Sequence, residues 1–301
     1  MTGYEAVIVG GGPAGLQAAL LMARGRTRVV VYDSGTARHL ASAESHSFLG
    51  ADGMPPVELR RRGREQLGPY ETVDFRDAVV EDVALRPEGG FRVSVVGQQA
   101  VTTRFVLLAT GVCDIHLDLP GYDDFWGKTL LHCPYCHGWE FRERKLGVLV
   151  ANEGMVELAK KVPWWSSDVV MFVSPELPQE LSEQLAGPGV VVERRPVRRF
   201  LGDTEAGRLE AVELEDGTNV PRDAVYYRPQ QRQSRLVENL GSSLGLRLDA
   251  DGFVQVDDEQ QTGVPGLYAA GDLTTAYQQI VEAARQGHRA ALAIEGVLKR
   301  R

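Results

Sequence analysis

Glu5-Ala6-Val7-Ile8-Val9-Gly10-Gly11-Gly12-Pro13-Ala14-Gly15-Leu16 moves in twelve residues from an apolar run to a glycine turn to a helix start. Residues 5–9 read as a buried parallel strand, and residues 16–24 read as an amphipathic helix. A dinucleotide fingerprint requires this order. Gly10 permits the tight turn, Gly12 lets the backbone approach a pyrophosphate, and Gly15 allows the helix to lie close to the strand. The helix N-terminus then offers its free amide donors to the anion.

The second strand is expected over residues 29–32 and ends at Asp33, where a carboxylate accepts from a ribose hydroxyl and repels a 2′-phosphate. Such a site suits FAD or NAD. A glycine turn without a ligand is the alternative, and the flanking strand, helix and acid together argue against it.

The 301 residues allow two domains and a large core, and 43% hydrophobic with 25% charged residues is ordinary for a globular protein. A net charge of −8 speaks against nucleic acid or an anionic membrane as the main partner. No segment reaches the roughly 20 apolar residues of a membrane span. The run at residues 6–23 is broken by glycines and lacks the basic start of a signal peptide. Three cysteines make no extracellular disulfide framework, so a cytoplasmic setting is expected, with Cys113 a small buried residue outside any pair.

His132-Cys133-Pro134-Tyr135-Cys136-His137-Gly138-Trp139-Glu140 is the second informative stretch. Two cysteines separated by two residues can close a disulfide ring, and nearby imidazoles favour the thiolate that exchange needs. A zinc site built from His132, Cys133, Cys136 and His137 shares the spacing, but adjacent ligands would strain a tetrahedral shell. Two inert buried thiols are the third reading, and flanking histidines suit it poorly.

Elsewhere the pattern is of alternating elements. Residues 34–53 are too long for a simple turn and are expected to cover a cofactor or substrate. The helix at 59–67 carries Arg60, Arg61, Arg62 and Arg64, whose default is a solvated face. Residues 73–96 read as a small antiparallel excursion, 105–109 as a buried strand closed by Thr110-Gly111, and Pro120-Gly121 as a domain boundary.

A further strand over 146–150 is followed by Ala151-Asn152-Glu153-Gly154-Met155-Val156-Glu157, where a second fingerprint would stand if a nicotinamide cofactor bound. Its single glycine crowds the approach, and Glu153 and Glu157 oppose a pyrophosphate by about 1 kcal/mol or more each. The strand at 169–173 ends in Ser174-Pro175-Glu176 without the arginines a 2′-phosphate needs. Arg194, Arg195, Arg198 and Arg199 are expected on an exposed strand over 190–199. Residues 224–227 form the last central strand. Near the end, Leu267 to Ala270 read as a buried strand, Gly271 as a close backbone approach, and Asp272 as an acceptor for a ribitol or ribose hydroxyl. The helix at 281–298, begun by Gln278, Gln279 and Ile280, points its first turn at the same place.

With these motifs in this order, the chain resembles the low-molecular-weight thioredoxin reductase family of flavoproteins over essentially its full length. The resemblance implies an α/β fold of two Rossmann-like, three-layer ββα domains. The FAD domain is discontinuous, residues 1–115 and 235–301, around an inserted, degenerate NAD(P)-type domain over 116–234 that carries the cysteine pair. It implies a homodimer. It also implies that Gly10, Gly12, Pro13, Ala14, Gly15, Asp33, Ser34, Thr110, Gly111, Gly271, Asp272, Gln279 and Ile280 hold FAD, with Cys136 facing the flavin and Cys133 exchanging with substrate. No metal is expected.

Two departures refine the expectation. The family usually has an aspartate after the second cysteine, and here it is His137, which is similar to the dithiol oxidase branch acting on small natural dithiols. Gln278 replaces the arginine common before Gln279. An FAD-dependent thiol/disulfide oxidoreductase working without NADPH is therefore expected, with Cys133, Cys136 and His137 as its catalytic groups. Its partner is a small-molecule dithiol or a thioredoxin-like protein, and its electron partner ferredoxin or dioxygen. An NADPH-dependent thioredoxin reductase and a non-catalytic flavin-binding sensor or scaffold are the alternatives.

Overall fold

The computed structural model describes residues 3–300. Two compact units divide the chain. The first takes the residues up to Leu40, Pro56–Cys113 and Gln231 onward, and the second takes Ala41–Pro55 and Asp114–Gln230.

In the first unit a parallel sheet runs in the order Leu267–Ala269, Phe105–Leu108, Ala6–Val9, Val29–Asp33, Val73–Asp77. Strand side chains alternate faces, so the β-branched runs of a parallel sheet bury both sides. Val7, Val9, Val30, Val106 and Leu108 face one layer, which holds Val83, Phe91 and Val93 of an antiparallel sheet and Leu236, Val237 and Leu240 of the helix Arg235–Leu244. Ala6, Ile8, Val31 and Leu107 face the other, against Ala18, Ala19 and Met22 of the helix Pro13–Arg24 and Ala290, Ala291 and Ile294 of Ile280–Leu298. Alanines at that contact let the two helices approach closely. The result is the three-layer ββα arrangement expected from sequence.

The second unit repeats the plan around one core. Its parallel sheet runs Val190–Glu193, Val169–Val173, Leu146–Val150, Ala224–Tyr226, Leu130–Leu131, beside an antiparallel sheet of Val197–Asp203, Arg208–Leu214 and Asn219–Pro221. Arg222 is buried at the start of the parallel strands, paired with Asp168 at 2.7 Å and donating to the Leu146 carbonyl at 3.1 Å.

Several expectations need correction. The stretch 73–96 is not all antiparallel: Val73–Asp77 joins the main sheet with Val73 opposite Val29, and only the later strands fold over it. The chain visits the second unit twice: over Ala41–Pro55, inside the stretch 1–115 expected as one piece, and again from Asp114, ahead of the Pro120-Gly121 turn, to Gln230. Gly121, at φ +84°, instead caps the short helix Tyr122–Phe125. Residues 190–199 form two strands broken by Pro196, and Arg194 turns inward to the Leu177 carbonyl at 3.1 Å. Cys113 is half-buried. Arg60 is not on a solvated face, as described below.

Candidate functional site

The glycine turn of the first unit is shaped by contacts that only glycine allows. A Cβ on Gly10 would run into the Ala109 carbonyl, and one on Gly15 would run into the Gly10 carbonyl. Gly10 also sits at φ +112°, where a side chain is strained. Gly12 differs: a Cβ there meets nothing within 4 Å. It is the N-cap of Pro13–Arg24, with no side-chain cap and no acidic residue in the first turn. The helix start thus has no side-chain acceptor of its own and leaves room at Gly12, which suits an external anion.

Asp33 is buried at the end of its strand, accepting from the Gly11 amide at 3.2 Å and from Arg60. Arg60 reaches it because its helix, Pro56–Glu65, lies against the first: a Cβ on Gly63 would meet the Leu16 side chain at 2.9 Å. Arg60 and Gly63, three residues apart, share that inner face. The glycine inside the arginine run was the sequence signal for it. Arg61 and Arg62 follow the solvated expectation and pair with Glu58.

Across the cradle, Gly271 stands at φ +97° with its amide donating to Gln286 at 2.7 Å. Asp272 follows, 3.7 Å from Arg38, which also donates to the Gln278 side chain at 3.0 Å. Gln278 exchanges hydrogen bonds with Gln231 at 2.7 and 2.9 Å. Gln279 is the N-cap of Ile280–Leu298, again without a side-chain cap. Ala14 lies against Gly271, Gly111 adopts φ +65° beside the half-buried Thr110, and Ser34 is exposed, bonded to Thr36. His39, between Arg38 and Arg60, has its pKa pushed down to about 4 by burial and by those two cations. Arg38 and His39 belong to the segment 34–53 that was expected to cover a cofactor or substrate, whereas Arg60 had been expected on a solvated face.

The cysteine pair is placed by the strand Leu130–Leu131, in register with Val225 and Tyr226, and by a single helical turn, Pro134–His137. Cys133 is its extended N-cap and Pro134 its first residue, so the Cys136 and His137 amides both reach back to the Cys133 carbonyl, at 3.2 and 3.3 Å. That turn brings the Cα atoms to 5.3 Å, and Cys133 and Cys136 are disulfide-bonded. Both are half-buried.

His137 stands at the end of the turn. Burial, then the neighbouring His46, hold its pKa below the ordinary imidazole value, while Glu140, a hydrogen bond to the Glu44 backbone and the Glu44 charge oppose them. Its Nδ1 is buried without a hydrogen-bond partner, so a neutral ring keeps a lone pair free. His46 meets His137 edge-on with ring centres 6.0 Å apart. No local signal marked His46. It arrives through a loop in which Ser45 bridges Met54 and the Ser47 amide donates to Asp52 at 2.8 Å. The Tyr226 hydroxyl is buried without a partner, its pKa raised by burial and by Glu140.

One aromatic side chain stands inside the disulfide ring, and others are exposed in the same unit. Tyr135, between the two cysteines, is exposed and packs edge-on against Trp165 at 5.3 Å. Trp139 and Trp164 are 68% and 74% exposed, with the Arg142 guanidinium 4.1 Å over Trp139.

In the second unit the place corresponding to the glycine cradle is built differently. After Leu146–Val150 comes a 3₁₀ turn, Glu153–Met155, then only the four residues Val156–Ala159 of helix. Glu153 and Glu157 stand in these first turns. The crevice beyond the strands holds a cavity of about 150 Å³, lined by apolar groups including Leu117, Leu149, Phe172 and Val197. Its one cation, Arg195, is already held by Glu193 at 2.5 Å and Asp216 at 2.8 Å.

Two Rossmann-like units, one with an open glycine cradle and one with a disulfide turn, define the flavoprotein disulfide oxidoreductases. The chain belongs to the family described as pyridine nucleotide-disulphide oxidoreductase, whose pattern matches residues 4–287. It is 33% identical to the thioredoxin reductase tcpT of Claviceps purpurea, covering 94% of this chain and 91% of the relative. It is 28% identical to the thioredoxin reductase sirT of Leptosphaeria maculans, with the same coverage. Among solved structures, HlmI superposes with a TM-score of 0.91 at 38% identity, over 98% of this chain and 92% of HlmI. The protein is a flavin-dependent disulfide oxidoreductase of the thioredoxin reductase-like type. No helix among the described residues is long and apolar enough to cross a membrane.

The cradle of the first unit fits FAD on its own geometry: uncapped amides at Gly12, room where a Cβ would stand, and carboxylates at both ends of the cleft.

Proposed function

We propose that this protein interconverts dithiol and disulfide at Cys133 and Cys136, trading electron pairs with FAD and without NADPH, and that its substrate is a small dithiol. The observation that carries the reading is the contrast between the two crevices. One has a 12-residue helix with uncapped amides, and the other has a four-residue helix with glutamates in its first turns.

In the oxidising direction a substrate thiolate attacks Cys133 and breaks its bond to Cys136. A second substrate thiol then resolves the mixed disulfide, leaving the substrate oxidised and the cysteine pair reduced. His137 takes the proton, because its Nδ1 is unpartnered and burial keeps the ring neutral at physiological pH. Bound FAD would supply the two-electron acceptor for the reduced cysteine pair. Gly10, Gly12 and Gly15 shape its phosphate site, with Pro13 and Ala14 in the helical turn above it. Asp33 and Asp272 would accept from its hydroxyls, while Ser34, Thr110, Gly111, Gly271, Gln279 and Ile280 would complete the cleft. Exposed Tyr135, Trp139 and Trp164 support an apolar or aromatic dithiol as the partner. Dioxygen or ferredoxin closes the electron cycle.

The second reading is an NADPH-dependent thioredoxin reductase, favoured by the names of tcpT and sirT. Anaerobic titration of the yellow holoprotein with NADPH, NADH, dithiothreitol and reduced thioredoxin, followed at the flavin band, separates the two. Bleaching by dithiothreitol alone is expected. Fast bleaching by micromolar NADPH would select the second reading.

A further inference from the structure

Oxidising a dithiol releases two protons; the reduced cysteine pair keeps one, and the other has to travel from the buried His137 imidazole to water. In the second unit a second imidazole stands beside the first. His46 is 15% exposed, and its Nε2 lies 3.4 Å from Glu44 and 3.6 Å from Glu140, while its Nδ1 lies 3.6 Å from Asp52. These carboxylates are 56%, 32% and 71% exposed, so they lead from the buried rings outward to solvent. The two rings meet edge-on with their centres 6.0 Å apart.

We propose that His46 is the second proton carrier of the disulfide centre, receiving protons through His137 and releasing them to water along the rim of Glu44, Glu140 and Asp52. The proposal rests on the reading of Cys133 and Cys136 as the exchange centre, and it adds a residue that acts through His137 and not on the substrate. The balance closes. As the substrate S–S bond forms and the Cys133–Cys136 bond breaks, two electrons pass from substrate to enzyme and two protons leave the substrate thiols. The reduced pair is a thiol and a thiolate, so it keeps one proton, and the other must leave by way of an imidazole.

The charges around the pair suit this traffic. The groups facing His137 are His46, Glu140 and Glu44, and those facing His46 are His137, Glu44, Glu140 and Asp52. His46 thus has three carboxylates around it, while burial holds the His137 pKa down and keeps that ring ready to accept. Two adjacent imidazoles in such different surroundings divide the roles of acceptor and outlet. All of these residues belong to one compact unit, although His46 precedes His137 by ninety-one positions (137 − 46).

The test is stopped-flow bleaching of the holoprotein by dithiothreitol under argon, across the pH range in which imidazole titrates. His46→Gln is expected to keep the flavin spectrum but slow bleaching by roughly tenfold or more. Its acid limb should also move to higher pH, because His137 no longer has a cation beside it. Free imidazole should restore part of the rate to His46→Ala. Glu140→Gln should slow the reaction less, and the double variant His46→Gln/Glu140→Gln should be no slower than His46→Gln alone. An unchanged rate and profile in His46→Gln overturns the relay, as does a slower rate with an unmoved profile and no imidazole rescue. Wild-type protein that dithiothreitol cannot bleach removes the exchange reading itself, and the relay with it.

Discussion

Arg60 donates to the Asp33 carboxylate from a neighbouring helix, with both side chains almost enclosed, 11% and 7% exposed. The carboxylate expected to meet a ribose is therefore fixed from two sides, by this guanidinium and by the Gly11 amide. Removing the cation leaves a buried charge without its partner, and that costs far more than a surface pair is worth.

Arg60→Leu is accordingly expected to destabilise the first unit by about 2 kcal/mol or more and to weaken FAD retention. Thermal unfolding of the holoprotein and fluorescence release of FAD measure the two effects. Arg62→Leu on the outer face, where the pair with Glu58 is 56% exposed on the arginine side, should change neither by more than about 0.5 kcal/mol.

The glycines of the cradle divide into two kinds. Gly15→Ala drives a methyl into the Gly10 carbonyl and should leave little folded protein, because backbone cannot yield as a side chain can. Gly12→Ala places its methyl where no protein atom lies within 4 Å, so the chain should fold and melt cooperatively but purify without yellow colour. A yellow Gly12→Ala protein with normal affinity would remove the pyrophosphate from that position.

The two sulfurs should respond differently to replacement. Either Cys133→Ser or Cys136→Ser should abolish dithiol-driven bleaching. Only Cys136→Ser, when given the substrate as its disulfide, should be trapped as a mixed disulfide, its Cys133 thiolate attacking one substrate sulfur and releasing the other as a thiol, visible by intact mass. Trapping by Cys133→Ser instead would reverse the assigned order of attack.

Acid should weaken the fold through the buried histidines. The folded pKa of His39 is about 4, below its ordinary value of 6.5, and that of His137 is also lowered. Between these values the unfolded chain binds the protons that the folded chain refuses, so stability is full above about pH 6.5 and is lost as pH falls towards 4. His39→Gln should flatten this decline in chemical denaturation curves. A decline of equal steepness in the variant would assign the acid sensitivity elsewhere.

Much of this architecture was legible in the chain because the physics that sets it is local. Val29, Val30 and Val31 can bury both faces only in a parallel sheet, Gly10 and Gly15 are demanded by contacts within the same turn, and Cys133 and Cys136 are joined by one helical turn. The acidic first turns of the second crevice were legible for the same reason, in Glu153, the lone Gly154 and Glu157. Tertiary structure alone decided what depends on distant segments meeting. It turned Arg60 inward onto Asp33, placed Arg38 by Asp272, and carried His46 to the edge of the His137 ring. Spacing and periodicity describe neighbours along the chain. An imidazole delivered by a loop leaves no periodic trace, since its role is set by burial and charge that exist only after the chain has folded.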